Sequence, residues 1–207
     1  MMEKINDYFY IFGGIKGLIR DGDELKRQLY FVKPEIMMIT ISPEEVKGIK
    51  YFIENPFEMT LSDYEIIYGV NLSKYGEVMT PSPVYIEAAR YSIDNNIELI
   101  GLDMNEDEYQ RAYSRDVKTL DLIRHSIRKK RISRTAFNNK TPEEYVDEWN
   151  KMVDINGFKK LNEERLVYIE KRINEILNEK NNELKMCISD YDFYKDLVKY
   201  FKNRNQN

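Results

Sequence analysis

The stretch Asp7-Tyr8-Phe9-Tyr10-Ile11-Phe12-Gly13-Gly14 determines the fold class of this 207-residue chain. Its aromatic and branched residues are typical of a β-strand, and its nearly unbroken apolar character predicts a strand that is buried on both faces. The glycine pair ends the apolar run and predicts a tight loop. Strands buried on both faces are typical of parallel sheets covered by helices, so this stretch predicts an α/β protein.

Three further apolar runs of strand length follow, and helical patterns separate them. The runs are residues 35–41, 97–102 and 183–189, the last of which follows a predicted turn at Asn181-Asn182. Strands alternating with helices predict a mostly parallel central sheet of about four or more strands with helices on both faces. Residues from about 105 to 180 are predicted to form a helical insertion between strands three and four. The whole chain, residues 1–207, is predicted to be a single domain.

Composition and charge restrict the class of protein. The chain is 42% hydrophobic and 33% charged, with a formal net charge of −4. No apolar stretch approaches the ~20 residues needed to span a bilayer, and the first residues lack the features of a signal peptide. The sequence therefore predicts a soluble cytoplasmic protein without a membrane partner. Its acidic charge does not favour nucleic acid as a partner.

The chain has one histidine, His125, and one cysteine, Cys187. An internal disulfide, a cysteine-rich zinc site and a multi-histidine metal site within the chain are therefore excluded. Cys187 lies in an apolar strand pattern, which predicts a buried and inert thiol. His125 lies in a basic helical stretch, which does not favour a catalytic role. Any metal must then be held by carboxylates and carbonyls, which favours Mg²⁺, Mn²⁺ or Ca²⁺ over zinc.

Several polar residues follow the predicted strands, at the edge where open α/β sheets bind ligands. Gly13, Gly14 and Lys16 follow the first strand, where backbone N–H groups and a lysine would suit an anion. The spacing matches neither a dinucleotide fingerprint nor a P-loop, and a plain tight turn is the alternative. Asp103 and Asp190 follow the third and fourth strands. Carboxylates at these positions would suit a cation or a substrate hydroxyl, although Asp103 also precedes a helix start that favours acids.

Two other groups of charged residues are candidates for function. Glu77 lies on a predicted loop, and Glu87 and Arg90 lie three residues apart on one face of a predicted helix, where they can form an ion pair. The segment 124–134 is strongly basic. It is either a contact surface for nucleic acid or another protein, or a solvated face that pairs with the acids in residues 143–148.

The order of these features resembles the TraB-like superfamily, which includes the Tiki proteases and erythromycin-esterase-type enzymes. The resemblance covers residues 8–201 and implies an α/β fold with a ligand cleft at the strand ends. In chain order, the matching segments are the first strand with its glycine loop, Val32-Lys33-Pro34-Glu35, Gly76-Glu77, Pro83-Val84-Tyr85-Ile86-Glu87-Ala88-Ala89-Arg90, Leu102-Asp103, and Asn162-Glu163-Glu164-Arg165-Leu166-Val167-Tyr168-Ile169.

Two departures from the TraB-like pattern affect the predicted chemistry. The first loop of the family reads Gly-x-x-His, whereas this chain has Gly14-Ile15-Lys16-Gly17. A second family histidine follows the last strand, where this chain has Ser189-Asp190-Tyr191-Asp192. In catalytic members these histidines bind metal or act as a base, so the resemblance does not carry hydrolysis to this chain. The matching polar positions that remain are Glu77, Glu87, Arg90, Asp103 and Arg165.

The sequence leaves both a binding protein and an enzyme open. In the first interpretation, the chain is an altered, non-catalytic TraB-like protein that binds a small polar or anionic ligand. The binding groups would be the amides of Gly13 and Gly14 and the side chains of Lys16, Arg90 and Arg165.

In the second interpretation, the chain is a hydrolase that uses Mg²⁺ or Mn²⁺. Asp103 and Asp190 would hold the metal, Glu77 would be a further ligand or the general base, and Glu87 is the other candidate base. A third interpretation is an interaction adaptor that uses the basic segment 124–134. In the first interpretation, the helical insertion would also be the place where a homodimer forms.

Overall fold

A computed structural model describes residues 1–180 and 182–204; the predicted turn residue Asn181 lies outside the described residues. A short 3₁₀ turn, Ser73–Tyr75, follows the third helix. In chain order, the strands and α-helices of the described part are β1 (Met2–Asn6), β2 (Phe9–Gly14), α1 (Ile19–Val32), β3 (Ile36–Ile39), α2 (Pro43–Glu54), α3 (Asp63–Leu72), α4 (Pro83–Asn95), β4 (Leu99–Gly101), α5 (Glu106–Asp116), α6 (Thr119–Ile132), α7 (Pro142–Val153), α8 (Gly157–Glu179), β5 (Lys185–Asp190) and α9 (Tyr191–Arg204).

The five strands form one sheet in the order β1-β2-β5-β3-β4. β5 pairs in parallel with both β2 and β3, β3 pairs in parallel with β4, and β1 is antiparallel to β2. The predicted α/β class with a mostly parallel sheet is therefore confirmed. The last strand in the sequence is the central strand of the sheet, so the carboxyl ends of β2, β5 and β3 lie side by side.

Side chains alternate along the strands, so that each inner strand contributes to two cores. One core lies between the sheet and helices α1, α2 and α4, and its strand residues are Phe12, Met37, Ile39, Met186 and Ile188. The other lies between the sheet and helices α8 and α9, and its strand residues are Phe9, Ile11, Ile36, Met38 and Cys187. Helices on both faces are thus confirmed, as is the burial of the Cys187 thiol.

The edge strand β1 is absent from the sequence prediction. Met2–Asn6 is short, and its burial pattern is mixed rather than continuous. Lys4 and Glu3 point to an edge position, because charged side chains on an edge strand discourage pairing with other chains. A strand of this kind lacks the apolar run by which the buried strands are recognised.

The predicted helical insertion between the third and fourth predicted strands is confirmed in part. Helices α5 to α8 lie there, but α8 packs directly on the sheet through Ile169, Ile173 and Ile176. Helix α7 instead joins α3 and α6 in a third core with Ile15 and Leu18, which belong to the loop after β2. Three helices therefore cover the carboxyl edge of the sheet, and two of them, α3 and α7, line a cleft there.

Helix α3 is longer than the sequence predicts. The pattern indicates a loop from Gly69 onward, whereas the helix continues to Leu72. Leu72 is fully buried in the core that contains Ile15 and Leu18, and this burial stabilises the last turn of the helix. Tertiary packing here overrides the low helix propensity of glycine.

Two glycine substitutions test the packing at the strand ends. A Cβ atom at Gly101 would lie 2.7 Å from the Pro43 backbone nitrogen, whereas a Cβ atom at Gly48 would meet nothing within 4 Å. We expect Gly101→Ala to lower the free energy of unfolding by about 1–3 kcal/mol through overpacking. We expect Gly48→Ala to raise it by about 0.5–1 kcal/mol, because alanine is favoured in a helix. Urea unfolding checks both; equal effects of the two changes would contradict the packing described.

Candidate ligand-binding cleft

A cavity of about 480 Å³ opens beyond the carboxyl ends of β2 and β3. We call it the strand-end cleft. Its floor is formed by the loop after β2, by Ile41 after β3, and by Tyr85 and Ser82 at the start of α4. The volume lies within the range of small-molecule sites, roughly 300–1,000 Å³. The location is the one expected for ligand binding in an open α/β sheet.

Helices α2, α3 and α7 form the walls of the strand-end cleft. Helix α2 contributes Gly48 and Phe52, and helix α3 contributes Tyr68 and Gly69. Helices α2 and α3 begin at Ser42 and Ser62, each of which forms a capping box with the glutamate three residues on. The third wall comes from Trp149 and Asn150 on α7, together with Phe57 and Met59 from the segment between α2 and α3.

The aromatic side chains of α3 and α7 support one another. The Tyr68 and Trp149 ring centroids are 5.3 Å apart with an interplanar angle of 68°, and Tyr64 meets Trp149 edge-on at 6.1 Å. The hydroxyl of Tyr64 donates a hydrogen bond of 2.8 Å to the His125 carbonyl oxygen on α6. Edge-to-face geometry is favoured between aromatic rings, so this wall is held in a defined shape.

Asp190 lies at the end of β5, behind the Tyr85 side chain. The Tyr85 hydroxyl donates to the Asp190 carboxylate, with both oxygens at 2.5 Å, and the Asp190 N–H donates to Thr40 Oγ1 at 3.1 Å. Burial raises the pKa of Asp190 to about 6, although the positive charge of Lys16 opposes this shift. Burial also raises the pKa of Tyr85 well above its ordinary value. The pair is therefore short of compensating positive charge.

Asp192 and Lys16 face the strand-end cleft itself. Asn150 Nδ2 donates to Asp192 Oδ1 at 2.7 Å. The Asp192 side chain is open to the water of the cleft but has protein on its other sides, and this desolvation raises its pKa. Lys16 is exposed, and its Nζ lies 6.0 Å from the centroid of the Tyr85 ring. Among the described residues, Lys16 forms no ion pair.

Asp103 and Arg165 come together as a buried pair near the same edge of the sheet. Arg165 Nε donates to Asp103 Oδ2 at 2.9 Å, and Asp103 Oδ1 accepts from the Met104 N–H at 2.8 Å. The Arg165 guanidinium also lies 5.2 Å from the Phe193 ring centroid. Hydrogen bonding to Asp103 raises the pKa of Arg165 against the opposing effect of burial. The Arg165 guanidinium is therefore paired with Asp103 and is not available to bind a ligand.

Of the nine predicted site residues, all of which are described, Lys16 alone is part of the strand-end cleft lining, and Glu77, Glu87 and Arg90 lie outside it in contacts of their own. Glu87 accepts a hydrogen bond from Arg90 Nη1 at 3.0 Å, as the spacing of three residues on one helix allows. Glu87 also forms an ion pair of 3.7 Å with Lys26 of α1. Glu77 is an exposed loop residue whose carbonyl oxygen accepts from the Ile19 N–H. Among the described residues, the contacts of Glu77 and Glu87 include neither Asp103 nor Asp190, so these four residues do not form one site.

Gly13 and Gly14 are the last residues of β2 rather than a loop after it, and they pair with Ser189 and Asp190 of β5. The Gly13 N–H donates to the Met1 carbonyl oxygen at 2.8 Å, and the neighbouring Ile15 N–H donates to Asp21 Oδ2 at 2.7 Å. A side chain at Gly13 would overlap the Tyr194 ring, and one at Gly14 would lie 2.7 Å from a Val84 methyl group. These contacts account for both glycines by close packing. The carboxylate of Asp21 takes the place that an external anion would have at Ile15.

A metal site does not follow from the carboxylates of the described residues. No group of three or more histidine, cysteine, aspartate or glutamate side chains is arranged there to hold a metal ion. Asp103 is bound by Arg165, and both oxygens of Asp190 accept from Tyr85. The two predicted ligands for Mg²⁺ or Mn²⁺ thus each have a protein partner. The residues present do not fit a metal-dependent hydrolase.

The basic segment 124–134 lies on α6 and the turn that follows it. Lys129 pairs with Asp63 at 2.5 Å, and Arg128 Nη1 donates to the Met152 carbonyl oxygen at 2.7 Å. These contacts attach α6 to α3 and α7 rather than to the acids of residues 143–148. The ring of His125 stacks between Tyr64 and Phe158, and burial lowers its pKa. The histidine therefore has a packing role.

Several residues of the strand-end cleft are absent from the sequence prediction of the site. They are Gly48, Tyr68, Gly69, Ser82, Tyr85, Trp149 and Asp192. A signal existed for Asp192, because it lies two residues beyond Asp190 in the same strand-to-helix turn. The others lie on helices or at the start of α4. Helical spacing predicts which face of a helix is buried, but not which other element packs against that face.

Comparisons with known proteins give no assignment. No protein-family model matches this chain, and no curated protein matches it. The TraB-like resemblance therefore stays a prediction from the sequence. In the described part of the chain, every helix is too short or too polar to cross a bilayer.

The elevated pKa of Asp190 predicts a specific pH dependence of stability. Its pKa of about 6 lies above the value of roughly 3.9 expected in the unfolded chain. The folded state then holds the proton to higher pH, so this group lowers the free energy of unfolding as the pH rises from about 4 to about 6. We expect Asp190→Asn, which keeps an acceptor for Tyr85, to be more stable than the wild type at pH 7.5 by ~2 kcal/mol.

Urea unfolding at pH 4 and pH 7.5 measures this effect. The control is Asp7→Asn, because Asp7 is exposed and its pKa is lowered by the hydrogen bond from Lys4. The control is expected to leave the slope between pH 4 and pH 6 nearly unchanged. If the stability of Asp190→Asn changes with pH between 4 and 6 as steeply as that of the wild type, the pKa of Asp190 is not raised as described.

Proposed function

We propose that this protein binds a small organic molecule in the strand-end cleft. The observation that carries the proposal is a cavity of ligand size whose lining includes groups left without a packing partner. These groups are two glycines inside helices and one buried hydroxyl. Each lowers the stability of the protein, and the open space in front of the two glycines is explained if a molecule occupies the cleft.

The two glycines keep space open in the strand-end cleft. Gly48 lies inside α2 and Gly69 inside α3, and a Cβ atom at either position would meet nothing within 4 Å. Glycine inside a helix is less stable than alanine by roughly 0.5–1 kcal/mol. No close approach of backbone or side chain requires these two glycines. Their common property is that both face the cleft.

The buried hydroxyl belongs to Ser82. This residue is only 4% exposed, lines the strand-end cleft and stands at the N-cap of α4. Its side chain makes no capping hydrogen bond, and its Oγ has no hydrogen-bond partner among the described residues. An unsatisfied buried polar group costs about 1–3 kcal/mol. Because the Oγ atom itself is closed to solvent, a ligand in the cleft would reach it only through a shift at the start of α4.

The TraB-like resemblance supports the same location. The two places where the family has histidines are residues 14–17 and 189–192. Gly17 of the first and Asp192 of the second both line the strand-end cleft. We propose that the chain keeps the binding cleft of a TraB-like protein and binds a ligand there without the family's hydrolysis.

Trp149 provides a direct test, because it is the only tryptophan of the chain and lines the strand-end cleft. We expect the neutral probe N-phenyl-1-naphthylamine to change Trp149 fluorescence saturably and to raise the melting temperature. A probe at ~100 times its dissociation constant stabilises by about 2.7 kcal/mol, which is on the order of 5–10 °C for a chain of this size.

A blocking variant locates the bound probe. Gly69→Phe adds a ring where a Cβ atom has open space, so it is expected to fill the strand-end cleft and abolish the fluorescence change. The matched control is Val70→Phe, because Val70 is the next residue of α3 and is 64% exposed. Undiminished binding by a folded Gly69→Phe protein would show that the cleft is not the site.

A further inference from the structure

We propose that the ligand of the strand-end cleft is an organic cation, namely an amine that is protonated at neutral pH and attached to an apolar body. This inference rests on the proposed function, since it specifies what the same cleft binds. Three features of the lining carry it: the aromatic surface, the excess of carboxylates, and the position of Lys16.

The aromatic surface suits a positive charge. The aromatic residues that line the strand-end cleft are Phe52, Phe57, Tyr64, Tyr68, Tyr85 and Trp149. They come from α2, the segment after it, α3, α4 and α7, and therefore surround the cavity rather than form one stripe. The face of an aromatic ring attracts a cation within about 6 Å, most strongly for tryptophan. The same rings also provide apolar contact for the body of the ligand.

The charged groups of the lining are mostly negative. Among the described residues, the cleft is lined by three carboxylates, Glu45, Glu65 and Asp192, and by one amine, Lys16. The N–H of Ser62 donates to Glu65, and this hydrogen bond lowers the pKa of the glutamate. Glu45 accepts from the Ser42 N–H at 2.8 Å. Both glutamates are held at helix starts by these bonds, so the lining carries three carboxylates against one amine.

Two further observations point to missing positive charge. Burial raises the pKa of Asp190 and of Asp192, and the only charge of a lining residue that opposes both shifts is that of Lys16. Arg165 also opposes them, but it is bound to Asp103. A ligand cation would stabilise the ionised carboxylates.

Lys16 is the group that a ligand cation would replace. Its side chain is exposed and without an ion pair among the described residues, and its Nζ already lies over the Tyr85 ring at 6.0 Å. It therefore makes the same type of contact as the ammonium group of a ligand would. Removing the Lys16 charge should strengthen the binding of a cation and weaken the binding of an anion. The sign of this effect distinguishes the two ligand classes.

The experiment compares three probes of one shape: 4-phenylbutylammonium, 4-phenylbutan-1-ol and 4-phenylbutyrate. Dissociation constants are measured by Trp149 fluorescence and by calorimetry on the full chain at pH 7. We expect the ammonium compound to bind about tenfold more tightly than the alcohol, and the carboxylate to bind most weakly. The variant Lys16→Met should tighten ammonium binding by about threefold or more and weaken that of the carboxylate.

The control for net charge is Lys26→Met. Lys26 lies on α1, pairs with Glu87 and is not part of the cleft lining, so the same loss of charge there should leave all three dissociation constants nearly unchanged. The inference is overturned if the carboxylate binds as tightly as the ammonium compound, or if Lys16→Met weakens ammonium binding. In both cases binding persists and is blocked by Gly69→Phe, so the proposed function stands. Both proposals are overturned if none of the three probes binds at concentrations up to about 10 mM.

Discussion

The central position of β5 is the constraint on which the rest of the structure depends. This strand is the last in the sequence, yet it pairs with β2 on one side and β3 on the other. The sheet is therefore complete only when the end of the chain inserts between strands from its beginning. Such long-range pairing slows folding, because the loop entropy is lost before the contacts form. It also fixes the site, since β5 delivers Asp190 and Asp192 to the edge where the loop after β2 ends.

Burial on both faces explains why accessible polar side chains are confined to the strand ends. The alternating side chains of β2, β3 and β5 fill two apolar cores, so no polar group fits within these strands without a partner. Polar side chains can enter only where the strands end. There the cap formed by α3, α6 and α7 partly shields them from water. The result is a cleft in which the Asp192 carboxylate is partly desolvated but still accessible to a ligand.

The sequence predicts the fold class and the edge of the sheet that carries polar residues, because both follow from local patterns. Lys16, Asp103 and Asp190 are recognised because each follows an apolar run of strand length. The walls of the strand-end cleft could not be predicted in this way. Trp149 and Tyr68 become neighbours only through the packing of α7 on α3, and that packing depends on contacts between distant segments. Glu87 and Arg90 show the opposite case, since their spacing correctly indicates an ion pair and nothing more.

We propose that the strand-end cleft binds an organic cation between its aromatic rings and its carboxylates. A crystal structure of the full chain with 4-phenylbutylammonium tests this claim most directly. We expect the ammonium group within about 6 Å of the Tyr85 or Trp149 ring, close to Asp192, with the Lys16 side chain displaced from Tyr85. A structure in which the compound lies outside the cleft, or in which its phenyl group rather than its ammonium group lies at Asp192, would contradict the account.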